Sequence, residues 1–103
     1  MHSRLSPEDI RRHGAEELET LRGMVLAWRK DYFQSAPPRG GPDFLFLCQD
    51  FSYEIEEHIY PYVRRMLGTD HIDQDQASEF MDFCFRQVLE LRDYLDLGDG
   101  SPY

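Results

Sequence analysis

Apolar side chains recur along this chain at alternating spacings of four and three, the interval at which residues return to one face of an α-helix. Ile10, Gly14, Leu18, Leu21, Val25, Trp28 and Tyr32 form the first series and predict a helix over about 7–33. Ser6 stands ahead of it as an N-cap, with Pro7 at the first helical position and Glu8 and Asp9 at the positive end of the helix dipole. Gly14 falls on the apolar stripe, where a missing side chain would let another backbone approach. Gly23 falls off the stripe and has no such reason.

A second series, Phe44, Cys48, Phe51, Ile55, Ile59, Tyr62 and Met66, predicts a central helix over about 43–67. This helix carries another stripe as well. Phe46, Tyr53, Tyr60 and Leu67 recur every seven residues, nearly two full turns, and so stack on the side opposite the first. A single partner helix cannot cover both faces. Pro61 lacks the N–H that would bond the Glu57 carbonyl, and its ring crowds that carbonyl, so a kink between Glu57 and Pro61 or a fresh segment from Pro61 is expected. Gly68 is the expected C-terminal stop.

The third series is Ala77, Met81, Cys84, Val88, Leu91 and Leu95, broadened by Phe80, and predicts a helix over about 74–97 capped by Asp73. Asp82, Arg86 and Glu90 follow one another at i,i+4 on its far side and can pair in a solvated face. Residues 35–42 hold three of the six prolines and read as a linker, and residues 98–103 read as a flexible tail. The expectation is an all-α chain in which residues 1–97 form a single helical domain, an antiparallel three-helix bundle that associates through its central helix.

A chain of 103 residues can bury one core without metal or disulfide staples. Its charge narrows the partners. The formal net charge is −9, and it is unevenly placed: residues 1–42 hold seven basic and six acidic side chains, residues 43–103 four basic and fourteen acidic. A nucleic-acid partner is not expected, and any charged partner should be basic. The longest apolar runs, at 24–28 and 44–48, are only five residues, too short to cross a membrane, and the first residues have no apolar signal region. No membrane partner and a cytoplasmic location are expected. Cys48 and Cys84 sit on core stripes and read as buried free thiols.

Glu54, Glu56, Glu57 and His58 precede, across the turn, Glu79 and Asp82. Carboxylates from two adjacent helices can hold a hard cation. The Glu56-Glu57 pair followed by Glu79-x-x-Asp82 resembles the two-helix acidic pattern of the MazG-type nucleotide pyrophosphohydrolases, over about a quarter of the chain. That resemblance implies an all-α enzyme acting on nucleotides with Mg2+. Tyr60 stands where the family has its third carboxylate, and the helical phase turns Glu79 and Asp82 away from the core stripe, as in a solvated acidic face. His58 is expected beside the core with Glu54 as its partner. Arg65 and His71 give an Arg-x5-His similar to the motif of the HEPN ribonucleases, and a His71 that closes the turn accounts for it as well.

No residue in this set is assigned a catalytic role, and no metal or cofactor is expected. The reading is of a small acidic helical protein that acts as a protein-interaction or assembly module and self-associates as a homo-oligomer, with a dimer expected. Phe46, Tyr53, Tyr60 and Leu67 are its expected contact residues. The alternatives are the MazG-type hydrolase, and a purely intramolecular use of the second stripe in which the first helix covers it.

Overall fold

Both helix starts that the sequence marks with a capping residue are built as marked. The Ser6 hydroxyl accepts the Asp9 N–H at 3.1 Å, with Pro7 opening the helix. Asp73 accepts the Gln76 N–H at 2.8 Å while the Gln76 side chain accepts the Asp73 N–H at 2.9 Å, a reciprocal box that satisfies two otherwise orphaned donors. In this computed structural model residues 6–35 and 44–97 are described, and the expected tail and most of the expected linker lie outside them. The elements are α1 (Pro7–Gln34), α2 (Phe44–Glu54), a π-helical turn (Ile55–Ile59), α3 (Tyr60–Gly68) and α4 (Gln74–Leu97). The fold is all-helical, with no strand among the described residues.

A fresh helical segment starts at the proline, as one of the two expectations had it: α3 opens at Tyr60 with Pro61 in its first turn. A wider turn precedes Pro61, in which the Tyr60 N–H bonds the Ile55 carbonyl five residues back. The turn holds one more residue than an α-turn and removes the backbone from the proline ring. Its cost is a change of phase. The buried residues run Cys48, Phe51, Ile55, Ile59, Val63 and Met66, so three successive steps of four replace the expected alternation. At about 100° per residue each such step would drift by about 40° in a regular helix, and the extra residue absorbs the drift. Val63 therefore points inward where Tyr62 was expected, and Tyr62 is exposed with its hydroxyl on Glu17 at 2.9 Å.

The C-terminus of α3 also differs from expectation. Gly68 is the last helical residue, and the left-handed position falls on Asp70, at φ 63°. The His71 N–H reaches back to the Met66 carbonyl at 2.9 Å and the Asp70 N–H to Leu67 at 3.2 Å, the paired bonds of a Schellman ending. The chain then buries Ile72, a core residue that the periodicity does not announce.

Both α1 and α4 lie against the central helix and against each other. Tyr32 of α1 stacks on Phe51 with centroids 4.8 Å apart, and Trp28 stands edge-on to His58 at 6.4 Å. Gly14 of α1 meets the turn after α3: a Cβ there would lie 1.9 Å from the His71 carbonyl oxygen, so only glycine allows this approach. Along the α1–α4 seam Arg22 lies over Phe83 at 4.4 Å and Phe33 packs on Tyr94 with centroids 4.8 Å apart, while Arg29 lies over Phe33 of its own helix at 4.7 Å. Arg29 also donates to the buried Gln87 at 2.6 Å and pairs with Glu90, which thus serves the seam rather than a solvated row on α4. Gln87 in turn donates to the Phe83 carbonyl at 3.1 Å. Among the described residues no buried side-chain polar atom lacks a partner. Fully buried side chains such as Phe51, Ile55, Ile59 and Leu91 each contribute roughly 1.5–3 kcal/mol.

The two helical glycines should respond oppositely to alanine. Gly14→Ala forces α1 away from the His71 backbone and should cost at least about 1–3 kcal/mol, whereas nothing lies within 4 Å of a Cβ at Gly23, and Gly23→Ala should gain up to about 1 kcal/mol. Paired urea melts measure both, and equal responses would contradict the packing described.

A smaller gain is expected at the end of α3. Asp70→Gly removes the left-handed strain of a residue with a Cβ and should stabilise by about 0.5–1 kcal/mol. A lower melting temperature for that variant would mean that the Asp70 side chain holds the turn by a contact outweighing its backbone strain.

Candidate protein-interaction surface

Phe46 and Tyr53 lie on the pole of α2 opposite the core, because each falls about half a turn from the Cys48–Phe51–Ile55 stripe. Phe46 is 63% exposed, Tyr53 59% and Tyr60 45%, and Leu67 is half-buried against the core. The decline follows from the π-turn. Seven residues drift by about 20° in a regular helix, and the extra residue of the wider turn adds to that rotation, so the lower half of the row swings toward α4. Tyr60 and Leu67 accordingly stand on one wall of a groove between α3 and α4, of about 370 Å3, with Ala77, Ser78 and Met81 on the other wall. Arg64 and Asp82 stand at its edge.

The first helix does not cover this row. It lies on another side of the central helix, where Trp28, Tyr32 and Leu47 border a separate hollow beside Glu54. The four expected contact residues are thus divided by the structure into an exposed pair, Phe46 and Tyr53, and a pair that lines a groove, Tyr60 and Leu67. Met81 and Ala77 belong with them, and the sequence places both only on the core stripe of α4. Their role in a groove could be found only from the phase change on the facing helix.

The surroundings of the row are charged in a polar order. Along the central helix Asp50, Glu54, Glu56 and Glu57 precede the π-turn's end with no lysine or arginine among them, and Arg64 and Arg65 follow it with no acid among them. Glu56 and Glu57 are exposed beside the row. Glu54 instead accepts the Tyr32 hydroxyl at 2.6 Å, which leaves His58 exposed against Trp28 rather than paired with Glu54 as expected. Burial, and then this carboxylate, raise the Tyr32 phenol well above the ordinary tyrosine range.

The carboxylates of the MazG-like pattern do not converge. Glu79 and Asp82 are exposed on α4, and among the described residues no group of three or more His, Cys, Asp or Glu side chains lies close enough to hold a metal ion. The largest hollow, about 490 Å3, lies between α1 and the end of α3 and is bordered by His13, Glu17, Tyr62, Arg65 and His71. It does bring Arg65 and His71 to one place. Tyr62 there is held by Glu17, and the His71 ring by the Thr69 hydroxyl at 2.6 Å, so the histidine is engaged in closing the turn. No helix among the described residues is long and apolar enough to cross a membrane.

Comparison of the chain with protein-family models, with curated proteins and with solved structures finds no match. The contact surface is accordingly read from its own chemistry.

Cys48 and Cys84 are both buried thiols outside any disulfide, and burial pushes the Cys84 thiol up to about 12. Both should react slowly with a thiol reagent in the native protein and at ordinary rates once it is unfolded. Because Cys84 and Tyr32 hold their protons more tightly folded than unfolded, their contribution to stability should be constant from neutral pH to about pH 9 and be lost as pH rises toward about 12. Fast native labelling, or a stability that rises through that window, would contradict the burial of these groups.

Proposed function

We propose that this chain is a protein-interaction or assembly module that works through the outer face of its central helix, with a second copy of itself as the partner. The single observation that carries the reading is three aromatic side chains of the central segment left 45–63% exposed, Phe46 and Tyr53 on the outer pole of α2 and Tyr60 beside the α3–α4 groove. Aromatic side chains of this size each offer about 150–250 Å2 for burial, and exposed apolar patches of a few hundred Å2 mark contact sites more often than they mark idle surface. Leu67 and the α3–α4 groove extend the row at its lower end.

The helices are read as an antiparallel three-helix bundle. In support, α1 contacts run in chain order opposite to the central helix, Gly14 to His71, Glu17 to Tyr62, Trp28 to His58 and Tyr32 to Phe51. The acidic second half of the chain favours a basic surface in any heterologous partner. Two buried cysteines that form no disulfide suit a reducing, cytoplasmic setting. A cluster able to bind a divalent ion would favour a hydrolase instead, and the described residues offer that reading no such observation.

Tyr53→Glu tests the proposal, since Tyr53 contributes nothing to the core. The variant should melt within about 0.5 kcal/mol of the parent while its light-scattering mass at tens of micromolar falls toward that of a monomer. A variant that keeps both its melt and the parent's oligomeric mass would remove the exposed row from the contact.

A further inference from the structure

We infer that the hollow where the end of α1 meets α2 receives the arginine side chain of a basic protein segment. None of the residues that border it belongs to the aromatic row, so the inference stands apart from the self-association proposed above. Trp28, Asp31 and Tyr32 share one face of α1, Ser35 follows as its C-cap, and Leu47 and Glu54 are seven apart on α2. The Tyr32 hydroxyl donates to one oxygen of Glu54 at 2.6 Å, which holds that carboxylate at the hollow and leaves its other oxygen for a ligand. Asp31 is exposed, and among the described residues neither it nor Glu54 is in an ion pair. No lysine or arginine borders the hollow. Asp50, one turn before Glu54, is near enough to help raise the Tyr32 phenol and adds a third acid to the neighbourhood. The carbonyl end of α1 lies here too, with no basic residue in its last turn to offset the helix dipole.

Size and charge together choose the occupant. The hollow measures about 270 Å3, whereas pockets that hold a whole small ligand run to about 300–1,000 Å3, so it suits the head of one side chain whose stem leads out to a larger partner. Aromatic rings with carboxylates beside them are a lining for a cation that also has an apolar face. A guanidinium can lie on such a ring while its fork of donors meets a carboxylate, and it is less strongly hydrated than an ammonium, so arginine fits this lining better than lysine. The net charge of −9 draws a basic segment to the surrounding surface.

Trp28 is the chain's only tryptophan, so its fluorescence reports on this hollow. The probe is the blocked peptide acetyl-Gly-Gly-Arg-Gly-Gly-amide, with citrulline in place of arginine as the uncharged control and lysine as the point-charge control. The arginine peptide should change the Trp28 emission saturably, the citrulline peptide should bind roughly tenfold more weakly, and the lysine peptide several-fold more weakly. Asp31→Asn should weaken the arginine peptide several-fold, and so should Glu54→Gln, whose amide oxygen still accepts the Tyr32 hydroxyl. Asp31→Lys should abolish binding, and the exposed Asp31 variants should keep the parent's circular dichroism melt. Glu79→Gln removes the same charge from α4, outside the hollow, and should leave binding unchanged. A citrulline peptide that binds as well as the arginine peptide, a lysine peptide that binds more tightly, or equal losses in Glu79→Gln and Asp31→Asn would overturn the site. An emission unchanged at the highest attainable peptide concentration would overturn it too, and would leave self-association standing.

Discussion

Pro61 cannot donate a hydrogen bond to the helix it occupies, and the rest of the central segment is arranged around that deficit. A π-turn at Ile55–Ile59 takes up the strain, with the Tyr60 N–H bonded to Ile55. The consequence is rotational: residues after the turn are out of phase with those before it. Val63 enters the core, Tyr62 leaves it for Glu17, and Tyr60 and Leu67 swing toward α4 to make one wall of a groove. Without the extra residue the heptad of Phe46, Tyr53, Tyr60 and Leu67 would remain a nearly straight outer stripe.

The neighbours of the central helix are fixed by different chemistries on its two flanks. On the α1 side the close approach at Gly14 and the Tyr32–Phe51 stack draw the helices together, and the Tyr32 hydroxyl occupies Glu54. Between α1 and α4 the seam is held by Arg22 lying on Phe83, by Phe33 against Tyr94, and by Arg29 satisfying the buried Gln87. These contacts engage three sides of the packing and leave the pole that carries Phe46 and Tyr53 to the surroundings. A large aromatic side chain left exposed contributes little burial to this fold, and an exposed group of them is the physical ground for proposing that face as a contact.

The acidic cluster illustrates why residue type alone does not make a site. Glu56, Glu57, Glu79 and Asp82 have a spacing that resembles an enzyme's metal ligands, yet helical phase separates them, and no three ligand side chains among the described residues converge. Arg65 and His71 do share a hollow, but the histidine's main chain and ring both serve the turn that ends α3.

The sequence by itself determined where α1 and α4 begin and most of the face each buries, since both are local properties. Ser6 with Pro7, and Asp73 with Gln76, satisfy backbone donors within four residues, and the stripes of α1 and α4 follow from the pitch of a helix. Even the role of Gly14 was legible, because a glycine on a buried stripe has few other uses. Tertiary structure decided the rest. It set a π-turn ahead of the fresh segment at Pro61, gave Glu54 to Tyr32 rather than His58, placed the left-handed residue at Asp70, and set Glu90 on Arg29. Each of these outcomes depends on how closely a second helix approaches and at what rotation. Periodicity along one helix carries no information about that distance, so the groove beside Tyr60 and Leu67 could not be read until the helices were packed.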